Sequence, residues 1–451
     1  VYVSGGNSSA HKNLAVMKPK QADNHPDLFQ LQLSQIINMS HPLVKLAHQI
    51  NWDRIATQID TVYTTGPGQP PLPTRLLAGL HYLKHAFDES DESVLARWLE
   101  NPYWQYFCGY SFLQHQLPLH PTSLVKWRQR VGDKAEALLV ETLKVAQESG
   151  AIQADEFHHI NVDTTVQEKN ITFPTDAKLY HKTRQVLVKA AQERNIPLRQ
   201  SYARSGKKAF ILNNRYRHAR QYKRANKACK TLKNYLGRII RELERKGSQT
   251  DQALQSLLDR ARRIYRQQTG DTDKIYSWHE TAVQCIGKGK AHKKYEFGNK
   301  VSLVSSSKNN WVLSAQGLAN PYDGHTLADA LAHMQQVCGH SPQHVYCDQG
   351  YRGHQQNGPD KPIIHLVGKI PKTASRSMKR WMKRRAAVEP IIGHLKADNR
   401  MGRNYLKGEA GNRLNPILAA AAYNLRKLLA WLYFWLMRWI VENRKSTILQ
   451  G

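Results

Sequence analysis

Acidic side chains are scarce in this chain: 35 Asp and Glu stand against 66 Lys and Arg in 451 residues, a formal net charge of +31 with a pI near 9.9. An excess of this size is foreign to an ordinary metabolic enzyme and creates an attractive potential for polyanions, of which nucleic acid is the commonest. Cysteine is also sparse. Cys108, Cys229, Cys285, Cys338 and Cys347 form no CxxC pair and follow no secretory signal, which argues against a disulfide scaffold or a zinc site and predicts free thiols in a reducing, cytoplasmic interior. Long apolar runs are missing too. The strongest, Leu428 to Met437, stops at Arg438 after about half of the roughly 20 residues a spanning helix needs, so it predicts a buried C-terminal helix and no membrane partner. No internal repeat and no HExxH motif occur, and Gly287-Lys288-Gly289-Lys290 lacks the spacing of a P-loop, leaving Lys288 and Lys290 as candidate DNA-backbone contacts.

What is present divides the chain. Residues 1–27 read as a disordered leader, with Met17 as the expected true start, and 446–451 as a tail. Residues 28–150 carry helical patterns. Arg75 to Lys84 places apolar residues at i, i+3, i+4 and i+7, Ser90 caps a second helix, and a hydroxyl near Thr122 opens a third that presents Lys126 and Arg128. These helices suit a DNA-reading module or, equally, a dimerisation bundle. From 151 to 445 strand patterns dominate: 158–166, 295–305, 311–318, 345–347 and 362–367, with a helix through Leu327, Leu331 and Met334 capped by Thr326. A basic helical segment of about 176–270 interrupts them, with 25 Lys and Arg against 6 acids, and its interleaved tyrosines point to nucleic-acid contact.

Within this frame one stretch needs explaining. A carboxylate among β-branched residues, Asp163 in Val162-Asp163-Thr164-Thr165-Val166, is disfavoured on a pleated surface unless it has a task. Asp348 likewise closes the apolar run Val345-Tyr346-Cys347. Glu389 lies in the basic run Lys379 to Lys396, where Arg385, Glu389 and Lys396 fall near one face of a helix beginning near Ser375. Two acids at strand ends and one on a helix can converge on a divalent-metal site for phosphoryl transfer, with Arg385 and Lys396 holding phosphates beside them. Asp323 reads as a turn or cap residue; His158, His159, His292 and His394 as structural or phosphate-contacting; Trp431, Trp435 and Trp439 as core or dimer packing.

At these residues the chain resembles the DDE transposases of bacterial insertion sequences, in the family conventionally numbered five and related to family four. The likeness covers nearly the whole chain from Met17. It runs through Gly68-Gln69-Pro70, Leu119-His120-Pro121-Thr122-Ser123-Leu124, Val162 to Val166, Phe173 to Leu179, Cys285 to Ala291, Asn320 to His325, Asp348 to Gly353 and Glu389 to Lys396. The family's signature of Tyr, Arg, Glu and Lys with gaps of two, three and six residues is met by Arg385, Glu389 and Lys396, while Met382 stands where the Tyr would be.

The resemblance implies an α+β chain: an RNase H-like catalytic domain, a mixed sheet flanked by helices, preceded by the all-helical domain and interrupted by the basic helical insertion. It implies Asp163, Asp348 and Glu389 as catalytic, metal-binding acids holding Mg²⁺ or Mn²⁺ with no nucleotide cofactor. The implied substrate is double-stranded DNA, cut at an element's terminal inverted repeats and joined to a target by a dimer or larger assembly in the bacterial nucleoid. Two rival readings remain: a metal-dependent nuclease that cuts without joining, and a transposase-derived DNA-binding protein without catalysis.

Overall fold

The branched residues around Asp163 build the central strand, β1 (His159–Lys169), of a mixed sheet. The computed structural model describes residues 31–63, 71–247, 251–287, 294–356, 358, 361–368 and 375–448, with side chains to 434. The expected leader 1–27, Lys288, Lys290, His292 and the side chains of Trp435 and Trp439 lie outside what is described. The remaining strands are β2 (Gln284–Gly287), β3 (Tyr295–Ser306), β4 (Val312–Leu318), β5 (His344–Cys347), β6 (Ile363–Leu366) and β7 (Arg403–Asn404).

The chain folds into two compact units. In the first, comprising the described residues up to 167, 300–404 and 410 onward, the strand order is β4-β3-β1-β5-β6, with β7 beside β1. β3 and β4 pair antiparallel as a short-looped hairpin, whereas β5 and β6 run parallel to β1 and to each other. The parallel strands need crossover connections, and the helix Leu327–Cys338 supplies the first, burying Leu327, Ala330, Leu331 and Met334. Residues on either side of position 150 share this unit: the Gln147 amide lies 3.2 Å from His340 Nε2, and Glu136 pairs with His333.

Local signals set most helix ends. Thr74–Ala86 follows the periodic run, and Asp91–Glu100 begins at Ser90, whose side chain and that of Ser93 form a reciprocal capping box. Two caps differ from expectation. The helix Pro121–Val131 is opened by His120, whose Nδ1 accepts the Thr122 N–H, because Pro121 takes the first helical position. Thr326 makes no side-chain cap; it ends a 3₁₀ turn, Asp323–Thr326, and its hydroxyl donates to the Asp323 carbonyl at 2.7 Å. The C-terminal helix is far longer than its apolar core, Gly408–Ile448, with Leu428 and Leu432 buried and Tyr433 and Phe434 exposed.

The second unit holds residues 168–299 and 405–409. It contains the helices Asp176–Glu193, Ala203–His218, Tyr222–Lys246 and Gln252–Arg266, and the antiparallel pairing of β2 with the first residues of β3. Leu232, Leu236, Ile239 and Leu243 recur at three- and four-residue spacing on the longest helix and pack with Leu187, Leu254, Leu258 and Ile264. The basic segment therefore has an apolar core of its own, and its charge lies outside it.

Candidate active site

Register brings the two aspartates level. β1 and β5 are parallel, with His159 opposite His344, Ile160 opposite Val345 and Asn161 opposite Tyr346. Asp163 and Asp348 each lie two residues beyond the last of these pairs, so both emerge where β5 has ended. Asp163 itself corrects the expectation of a strand end: it is the fifth residue of an eleven-residue strand, which runs on past its neighbour. Asp348 does follow the last residue of β5, and its Oδ1 accepts the Gly350 N–H at 2.8 Å to open a tight turn.

Glu389 and Arg385 arrive on the other wall. The expected single helix is broken: Arg376–Arg384, capped by Ser375, gives way to a 3₁₀ turn, Arg385–Ala387, before Val388–Ala397 resumes. This turn aims Arg385 at all three acids. Its Nη2 lies 2.9 Å from Asp163 Oδ2 and 3.7 Å from Asp348 Oδ2, and its Nη1 lies 3.7 Å from Glu389 Oε1. The acids differ in setting. The Asp163 side chain is 14% exposed, that of Asp348 45% and that of Glu389 73%, so only Asp163 is strongly desolvated.

Burial is the main reason that the Asp163 carboxyl is pushed up to about 6. The Arg385 guanidinium opposes that rise, the Asp348 and Asp323 charges add to it, and the Thr164 N–H lowers it. Asp323 therefore belongs to this cluster, which sequence reasoning missed. Its Oδ1 accepts from Lys300 Nζ and from the Thr164 hydroxyl, each at 2.9 Å. Asp323 and Asp348 also share a boundary at Gly350: a Cβ there would stand 3.0 Å from Asp348 Oδ1 and 3.4 Å from Asp323 Oδ2. The sequence offered a sign in Asn320-Pro321-Tyr322-Asp323-Gly324-His325, but nothing in that turn reveals that β1 passes beside it.

The donors fit a hard divalent ion in kind. They are carboxylate oxygens, the class that Mg²⁺ and Mn²⁺ take, and three of them already surround one cationic group. As arranged, the guanidinium stands in for that charge: among the described residues no group of three His, Cys, Asp or Glu side chains is close enough to hold an ion directly. Asp163, Asp348 and Glu389 would hold such an ion in place of the guanidinium, whose Nε is buried without a hydrogen-bond partner.

The other predicted contacts fall apart in space. Lys126 is exposed on its helix. Arg128 is not available to DNA, and its assignment there is corrected: it is 6% exposed and donates to both oxygens of Asp91, at 2.8 and 2.6 Å, beside Lys84. Burial works against the Asp91 charge, yet these two cations hold its carboxyl well below the usual range. Lys396 is half-buried on the helix of Glu389, two turns beyond it. His159 stacks on Trp381 at 4.2 Å and on His344 at 4.7 Å, and His394 meets Asp398 at 2.9 Å, both packing or pairing roles. No helix among the described residues is long and apolar enough to cross a membrane.

Comparison with known proteins matches two segments of this chain. Residues 31–130 match the family model described as Transposase domain (DUF772), and residues 263–425, which contain Asp323, Asp348, Arg385 and Glu389, match that described as Transposase DDE domain. A protein of Rhizobium meliloti, "Uncharacterized protein ORF8 in nfe locus", is 45% identical over 206 residues, covering 46% of this chain and 98% of the relative. No solved structure matches.

Proposed function

We propose that this chain, which belongs to the DDE-type insertion-sequence transposases, binds the terminal inverted repeats of its element, cleaves the DNA there and joins the freed ends to target DNA. The family conventionally numbered five, with its RNase H-like domain, is the reading that accounts for the motifs from Met17 to Lys396. One observation carries the assignment: acids 163, 348 and 389, far apart in sequence, meet around a single guanidinium.

In this reading Asp163, Asp348 and Glu389 hold divalent metal, Mg²⁺ or Mn²⁺. Bound there, the metal supplies Lewis-acid activation of the attacking oxygen and charge stabilisation of the leaving one. The chain's own residues do the rest. The desolvated Asp163 provides a site in which electrostatic interactions are stronger than in water. Arg385 and Lys396 would hold phosphate beside Glu389, as fork and point cations do. Lys126 on the first unit adds backbone contact, as do Lys288 and Lys290. Two element ends must be brought together, so the working form is a homodimer or larger assembly on DNA.

A plasmid carrying element ends tests the proposal. Wild-type protein with Mg²⁺ is expected to yield cut and joined products, and Asp163→Asn neither, while retaining duplex binding. Nicks without joining would support the nuclease reading. Binding with no cleavage by the wild-type chain under Mg²⁺ or Mn²⁺ would support a derivative without catalysis.

A further inference from the structure

The second unit contains a basic cleft remote in sequence from every acid of the first. A cleft of about 960 Å³ is lined by Arg199, Tyr202, Arg238, Arg241 and Arg245, together with Glu242 and Glu244. Both acids are already engaged: Glu242 accepts the Arg199 N–H and Lys246 Nζ, each at 2.7 Å, and Glu244 pairs with Arg262 at 2.6 Å. None of the four arginines forms an ion pair among the described residues. Arg238 donates instead to the Tyr202 hydroxyl at 3.2 Å, and Arg245 Nε to the Arg241 carbonyl at 3.4 Å. The cleft thus presents four solvent-exposed arginines against two carboxylates that already have other partners.

Its backbone is also specialised. Tyr202 opens the helix Ala203–His218 with φ of 53°, in the left-handed region that disfavours an aromatic residue. Strain of this kind persists only when surroundings over-determine it, and it collects at binding sites. Here Tyr202 is stacked on Tyr235 at 4.3 Å and fixed from its hydroxyl end by Arg238. The stack covers one face of each ring, and Arg238 lies 5.9 Å from the Tyr202 ring centre, so the pair positions that arginine. Arg238, Arg241 and Arg245 recur at three- and four-residue spacing on one face of Tyr222–Lys246, spanning about 10 Å. A duplex carries about six phosphates over that length, whereas a single phosphate could engage only part of so wide a set.

We propose that this arginine cleft is a second DNA-binding site, which grips the sugar–phosphate backbone of a duplex without reading its sequence. The binding does not depend on whether the acids of the first unit are catalytic, so it is measured in the full chain carrying Asp163→Asn. The probe is a labelled duplex oligonucleotide of arbitrary sequence, followed by fluorescence anisotropy across a salt series. Each phosphate contact contributes about −0.9 to the slope of log affinity against log salt. Changing Arg199, Arg238, Arg241 and Arg245 together to Gln is expected to make that slope shallower by about 3 to 4 and to weaken binding tenfold or more at about 0.15 M salt. The control removes four exposed cations of the same unit outside the cleft, Lys182, Lys207, Lys223 and Lys230. An unchanged slope in the arginine variant, or a loss no larger than the control's, overturns the proposal. Absence of strand joining by the wild-type chain, with this slope difference intact, would sink only the catalytic reading.

Discussion

Replacing Arg385 by Gln separates two roles that one guanidinium performs. It offsets the charge of the acids, with its closest contact 2.9 Å from the desolvated Asp163 and looser contacts at 3.7 Å to the more exposed Asp348 and Glu389. Only the first is sheltered enough to weigh heavily, since exposed pairs are screened. A hydrogen bond to a charged group contributes about 1.5–3 kcal/mol, and a divalent ion entering the site must replace that interaction. Releasing the competitor should therefore tighten metal binding by roughly tenfold to a hundredfold. Because the guanidinium also holds the Asp163 carboxyl down, its loss lets that group rise above about 6, so the measurement belongs near pH 8.5, where the acid stays ionised. Titration of Mn²⁺ without DNA, followed by electron paramagnetic resonance of the free ion, reads the affinity directly. DNA cleavage should fall in the same variant, since the phosphate loses its cation. Mn²⁺ binding that is unchanged or weaker in Arg385→Gln would refute the reasoning.

Three further predictions rest on single contacts. Asp163 binds a proton more readily folded than unfolded, its carboxyl standing at about 6 against 3.8, so its contribution lowers stability as pH rises from about 4 to about 6 and the cost persists above. Chemical denaturation of wild type and Asp163→Asn across that range should give curves diverging by about 2–3 kcal/mol at pH 7, with the variant the more stable; parallel curves would contradict the burial. Arg128→Met, which leaves Asp91 with only Lys84, is expected to cost about 3 kcal/mol in denaturant titration and to leave the salt slope of DNA binding unchanged. Gly350→Ala adds a methyl group 3.0 Å from Asp348 Oδ1; the melting temperature should move by a few degrees at most, while plasmid cleavage falls because the carboxylate is displaced.

Much of the architecture was legible in the chain. Branched residues around Asp163, the apolar run before Asp348 and the periodic helix after Pro73 each follow from side-chain shape and spacing, and they reappear as β1, β5 and Thr74–Ala86. The surplus of cations in the 176–270 segment followed from counting, and the apolar stripe of Leu232, Leu236, Ile239 and Leu243 shows why that segment has a core to fold around. Less legible were features that depend on a distant partner. Arg128 reads like Lys126 in sequence, yet one is sunk against Asp91 and the other faces solvent, because helical phase decides burial and Asp91 lies on another helix. His120 displaced Thr122 as a cap through the geometry that Pro121 imposes.

Residue types and order alone determined that this protein is cationic, that its acids are few, and that three of them sit in unusual surroundings, for these are properties of local chemistry. Only the tertiary structure decided that Asp163 and Asp348 stand level, that a 3₁₀ turn points Arg385 at both, and that Asp323 joins them. Strand register, the break in a helix and the passage of one turn beside another are fixed by packing between segments hundreds of residues apart, and no local pattern encodes them.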